Sequence, residues 1–136
     1  MNEYGIIEFK NGNTELSVNV SPKEDTVWLT KEQIAILFCR DRSVISKHVN
    51  NILKERELDD LTCAIFAHVQ KEGNREVKRS VEYYNLDMII SIGYRVKSQN
   101  GIIFRKWANS ILKDYLLKGY VTIEKKNYSK RKESNV

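Results

Sequence analysis

Apolar and polar positions alternate through the first twenty residues, and the period then changes. Ile7 and Phe9, followed by Leu16, Val18 and Val20, occupy every second position around Asn11-Gly12-Asn13, which supplies residues tolerant of positive φ. Residues 4–20 therefore predict a β-hairpin. Ser21-Pro22-Lys23 reads as a turn, and Val27, Trp28 and Leu29 predict a short strand able to lengthen the same sheet. At Thr30 the pattern becomes helical. Thr30-Lys31-Glu32-Gln33 has capping-box spacing, in which hydroxyl and amide side chains each satisfy one terminal backbone N–H. Ile34, Ala35, Leu37 and Phe38 give this first helix one apolar face, which breaks at Cys39-Arg40-Asp41. The Asp41 carboxylate is expected to cap a second helix running to about Arg56, with Val44, Ile45, Val49, Ile52 and Leu53 facing inward.

Further on, residues 63–69 and 76–84 alternate around the polar loop Lys71-Glu72-Gly73-Asn74-Arg75, predicting a second hairpin. Asn85 is a candidate cap for a short helix from Leu86 to about Ile92, stopped by Gly93. Phe104, Trp107, Ala108, Ile111, Leu112, Tyr115 and Leu116 recur at spacings of three and four between Gly101 and Gly119, predicting a last helix with one buried face. The expected fold is a single α+β domain over residues 1–120. It is winged-helix-like, with an N-terminal β-hairpin, a helix-turn-helix at residues 30–56, a second hairpin as the wing, and C-terminal helices, of which one must supply the third helix of the motif. Residues 121–136 read as a basic disordered tail or linker.

The helix pair is where chemistry concentrates. A helix-turn-helix needs a small residue where its helices cross, here Ala35, and an apolar plug from the second helix, here Ile45. Arg42, Ser43, Ser46, Lys47 and Asn50 then face outward, and all five can donate hydrogen bonds to bases or phosphates. Arg42 suits guanine O6 and N7, Asn50 suits adenine, and Lys47 and the serines suit phosphate. On the second hairpin Lys71, Arg75, Lys78 and Arg79 are candidate backbone contacts, and Arg95 and Lys97 further along are two more.

Charge sharpens this picture. The 136 residues carry a net +5, of which the segment from Val121 onward accounts for +3. Residues 88–113 hold five basic side chains and no acid, so charge is segregated as in a protein with one anion-facing side. Other chemistries find little support. Cys39, Cys63, His48 and His68 show no metal-ligand spacing, and there is no nucleotide loop or triad, so neither a metal nor another cofactor nor catalysis is expected, and no small-molecule substrate is inferred. No apolar run is long enough to span a bilayer and the N-terminus lacks a secretory pattern, so a cytoplasmic location without membrane partners is expected.

The stretch WLTKEQIAILFCRDRSVISKHVNNILKERELDD, followed by CAIFAHVQKEG, YYNLDMIISIGYRVKS and FRKWANSILKDYLLKGY, resembles the RhuM family of bacterial virulence-associated proteins from about Trp28 to Tyr120. The C-terminal half is also similar to phage antirepressor domains of the Bro type. The resemblance implies occurrence in mobile genetic elements and favours regulatory binding to double-stranded DNA, with transcription regulation as the setting. It also leaves open a protein-interaction or adaptor role toward a fused or neighbouring effector, such as a Fic-type module. Where typical relatives read LFGVDRS, this chain has Cys39 and Arg40 in place of glycine and valine. A homodimer is a further expectation, with Ile102, Ile103 and Leu117 of the last helix as its seam.

Overall fold

The computed structural model describes residues 5–118, and the expected tail at 121–136 lies outside the described residues. The chain opens with β1 (Gly5–Asn11) and β2 (Thr14–Ser21), an antiparallel hairpin closed by Gly12-Asn13. Gly12, at φ 61°, takes the left-handed conformation that a two-residue hairpin loop demands. Ile7 pairs with Val18 and Phe9 with Leu16, which puts all four side chains on one face. β3 (Thr26–Thr30) extends the sheet, and the Thr30 capping box then starts α1 (Lys31–Phe38). α2 (Arg42–Lys54) follows after three residues. A 3₁₀ turn (Asp60–Thr62) leads into β4 (Cys63–Glu72) and β5 (Arg75–Asn85), and the described residues end with α3 (Leu86–Arg95) and α4 (Gln99–Lys118).

Both hairpins belong to one five-stranded antiparallel sheet of order β1-β2-β3-β5-β4. Its joint is the β3–β5 ladder, where Trp28 pairs with Asn85 and Leu29 with Tyr84. The inner face carries Ile7, Phe9, Leu16, Val18, Val20, Val27, Leu29 and Tyr84, which meet Ile34, Leu37, Ile45, Ile92 and Phe104 from the helices in a continuous core. Phe9 stands edge-on to both Phe104 and Trp107, at 5.2 Å between ring centroids in each case, and so seats α4 across the N-terminal hairpin. The outer face bears a second aromatic group, Trp28, Phe66, Tyr83 and His68.

Several local expectations need correction. The Asp41 side chain makes no cap hydrogen bond, and α2 begins on its backbone carbonyl, which accepts from Val44 and Ile45 at 3.0 and 3.2 Å. The second hairpin has no five-residue loop, because Gly73 at φ 66° lets the strands pair up to Glu72 and Arg75. Gly93 does not stop α3. It lies inside the helix, where an added Cβ would sit 3.1 Å from Phe38 Cζ and 3.4 Å from Gly101 Cα, so the missing side chain serves close packing. Gly101 falls within the first turn of α4 rather than before the helix, and Leu116 is 83% exposed rather than part of the buried stripe.

The ends of α1, α2 and α3 share one device. Arg40 N–H donates to Ala35 C=O and Cys39 N–H to Ile36 C=O; Glu57 and Arg56 donate to Ile52 and Leu53; Ser98 and Lys97 donate to Gly93 and Tyr94. These are three Schellman motifs, and the left-handed residue in each is a non-glycine: Cys39, Arg56 and Lys97, at φ 55°, 58° and 55°.

Candidate nucleic-acid interface

α2 owes its position to its apolar side. Ile45, Val49 and Ile52 are at most 2% exposed and point into the core, while Ala35 of α1 lies half-buried against the same core. Because a helix turns 100° per residue, the residues left facing outward are Arg42, Ser43, Ser46, Lys47, Asn50 and Lys54. Ser46 is half-buried and the other five are exposed. All five side chains expected to face solvent therefore share one face. Lys54 is a sixth member missed in the sequence, although its place four residues after Asn50 and seven after Lys47 extends the same series.

The turn between α1 and α2 is pinned by Arg40. Its guanidinium donates to the carbonyls of Phe38 (3.0 Å) and Cys39 (3.3 Å) at the end of α1, and to that of Val96 (3.0 Å) at the end of α3. A cation at two helix C-termini is favoured by both dipoles. Asn100 adds a bond from its amide to Leu37 C=O at 2.8 Å. On the other flank, α3 holds the segment after α2, with Arg95 donating to Glu55 and Glu57 at 2.8 and 2.9 Å and Ser91 donating to Glu57. These bonds, led by the Ser91 hydroxyl and then Arg95, keep the Glu57 carboxyl below its ordinary range. α3 thus packs against α2 and the segment that follows it, while α4 packs against α1.

The candidate cations divide into held and open groups. Arg42 Nε lies 2.6 Å from Glu32 of α1, with both side chains about 60% exposed or more, so the pair is solvent-screened and opens readily. Lys47 and Asn50 face solvent. Arg79 is held by Glu72 at 2.6 Å, and Arg95 by its two glutamates. Lys71, Arg75 and Lys78 are exposed along the hairpin. Register places Lys71 and Lys78 on one face of the β4–β5 hairpin and Arg75 and Arg79 on the other, so the four do not form one patch. A cleft of 280 Å³ lined by Lys31, Glu32, Arg42, Ser80, Val81 and Glu82 brings the first turn of α2 up to β5. Lys97 lies elsewhere, on a 270 Å³ groove between α3 and α4 that Tyr94, Ile102 and Arg105 also line.

Burial, then the charges of Arg95 and Lys47, hold the His48 imidazole below its ordinary pKa, and its Nδ1 is buried without a hydrogen-bond partner. His68 Nε2 lies 3.2 Å from the Tyr83 hydroxyl. Among the described residues no His, Cys, Asp and Glu side chains cluster as metal ligands, and no helix is long and apolar enough to cross a membrane.

The architecture is an α+β domain in which a helix pair and a long hairpin project from one antiparallel sheet. A family model described as "Virulence protein RhuM family" matches residues 61–135, more than half of the chain, and the protein belongs to that family. The match begins at the 3₁₀ turn and takes in β4, β5, α3 and α4, leaving α1 and α2 outside it. No curated protein and no solved structure shows a significant match.

Proposed function

We propose that the protein is a DNA-binding regulatory module that lays α2 in the major groove, using Arg42, Ser43, Ser46, Lys47 and Asn50, with Lys54 at the far end. The observation that carries this reading is the two-sidedness of α2: its apolar face is locked in the core while its donor-rich face, apart from the half-buried Ser46 and the solvent-screened Arg42–Glu32 pair, lies open to solvent. The connectivity agrees. In the run β3-α1-α2-β4-β5 the last strand lies between the other two, as in a winged helix, and the β4–β5 hairpin takes the wing's place. The helix that usually precedes such a unit is replaced by α3, which arrives from downstream. Similarity of the C-terminal half to phage antirepressor domains of the Bro type fits a regulator acting in the cytoplasm.

Arg42 and Lys47 have distinct work in this reading. Arg42 exchanges Glu32 for a base edge or a phosphate, and Lys47 neutralises phosphate. Selection of bound fragments from a random DNA pool, followed by anisotropy titration at several salt concentrations, tests the reading. Asn50→Ala should cost about 1 to 3 kcal/mol on the selected sequence only, whereas Lys47→Ala should weaken binding on all sequences and reduce the log–log salt slope by about 1. Absence of selected sequences, or unchanged binding in the Arg42→Ala/Lys47→Ala double variant, would dismiss it. A protein-interaction role is favoured by one observation, the groove beside exposed Tyr94 and Ile102, and failure of DNA selection would bring it forward.

A further inference from the structure

β4 is an edge strand of unusual character. Among the described residues, the sheet order leaves one side of its ten residues without a neighbouring strand. Natural edges are commonly blunted by proline, a bulge, an early lysine or short length. β4 has none of these before Lys71: its sequence is CAIFAHVQKE, and its pairing with β5 runs without a bulge from Cys63–Tyr84 to Glu72–Arg75. Ile65 and Val69 are 66% and 60% exposed, and Ala67 between them is exposed as well.

The backbone sets which residues are available. In a two-residue hairpin the residues flanking the loop exchange hydrogen bonds, so Glu72, Gln70, His68, Phe66 and Ala64 bond inward to β5. The N–H and C=O groups of Ile65, Ala67, Val69 and Lys71 therefore point out along the edge, whereas the Cys63 N–H donates to the Asp60 carbonyl of the preceding 3₁₀ turn. Three of these residues, Ile65, Ala67 and Val69, also expose apolar side chains.

We propose that β4 is a self-association edge, at which two copies of this chain join their sheets by antiparallel β4–β4 pairing about a two-fold axis at Ala67. Identical antiparallel strands related by an axis normal to the sheet must be centred on a residue that faces itself, since facing residues share a side of the sheet. Centring on Ala67 places Ile65 opposite Val69 of the partner subunit, twice, and Phe66 opposite His68 of the partner subunit, twice. Lys71 then falls opposite Cys63 of the partner subunit, whose sheet face also carries Glu82 of the partner subunit, so the charges complement. Centring on His68 would set Ile65 against Lys71, and centring on Phe66 would separate Ile65 from Val69. The α4 seam compares poorly, because Lys106 and Lys113 stand between its exposed Ile102 and Leu117, and a symmetric pairing brings like charges together.

Sedimentation of the full chain over a range of concentrations should show a monomer–dimer equilibrium, and Ile65→Lys/Val69→Lys should raise the dissociation constant at least tenfold. Circular dichroism checks that this variant folds. In a Cys39→Gly/Cys63→Ser background, Ala67→Cys should form a covalent dimer with an oxidant or a short thiol cross-linker, because facing Cα atoms of an antiparallel pair lie about 4.5 to 5.5 Å apart. Ile6→Cys, on the opposite edge strand β1, should not. A monomer at every concentration, a dimer that survives the double lysine variant, or capture of unrelated strand peptides in place of a second copy would each overturn the proposal.

Discussion

Cys39→Gly should make the protein more stable, although it deletes a side chain from the turn between α1 and α2. Cys39 sits at φ 55°, ψ 49°, the left-handed position of a Schellman motif. A residue with a Cβ bears about 1 to 2 kcal/mol of strain there. Glycine relieves it, and returns about 0.5 to 1 kcal/mol of that gain through the larger entropy of the unfolded chain. Little packing is lost, since the thiol is exposed and reaches only Ile36 C=O at 3.9 Å. The net expectation is about 0.5 to 1 kcal/mol of added stability, or roughly 2 to 6 °C in Tm for a domain of this size. Thermal unfolding followed by far-UV circular dichroism, with urea titration at constant m-value, gives the number. Arg56→Gly tests the same logic at the end of α2, and Cys39→Val should lower Tm, because branching at Cβ aggravates the strain. If Cys39→Gly is neutral or destabilising while the m-value is unchanged, the left-handed turn is not where strain resides and the reasoning fails.

Glu32→Gln removes the carboxylate that holds Arg42 at 2.6 Å, and duplex DNA affinity should rise a few-fold at low salt and less at high salt, as read by anisotropy. The pKa of His48 is depressed in the folded state, so the unfolded chain binds the proton more readily and stability should fall as pH drops from about 6.5 toward the lowered value. His48→Gln should flatten that part of a urea-midpoint series, leaving the loss below about 4.5 to which Glu57, with its own lowered pKa, contributes. Gly93→Ala should destabilise by about 1 kcal/mol or more, since its Cβ meets Phe38 at 3.1 Å in a close-packed core, whereas Gly101→Ala meets nothing closer than 3.5 Å and should be neutral or better in thermal melts.

What was legible in the sequence depended on how local the physics is. The Thr30 capping box, the Asn85 cap and the Gly12 turn are decided within four residues, and each stands where the sequence places it. The polar face of α2 was legible for the same reason, because one helical period fixes which side chains share a side. Helix ends were harder. A reading that seeks glycine stops cannot find Schellman motifs built on Cys39, Arg56 and Lys97, and Gly93 misleads because its smallness is spent on Phe38, fifty-five residues away. Salt bridges of Arg42 and Arg95 with Glu32, Glu55 and Glu57 were equally invisible, since they join separate elements. The union of both hairpins in one sheet rests on a three-pair β3–β5 ladder that no local pattern announces.

Arg40 carries a consequence for how the molecule opens. Its guanidinium bonds the carbonyls of Phe38 and Val96, at the ends of α1 and α3, together although they lie 58 positions apart in the chain. Terminal turns ordinarily fray one by one and exchange their amide protons quickly. With one side chain bridging both ends, neither last turn unwinds without releasing the other. The amides of Arg40 and Ser98, which close the two Schellman turns at 3.0 and 3.1 Å, should therefore exchange with matched protection, and Arg40→Ala should lower the protection of the Ser98 amide at the end of α3.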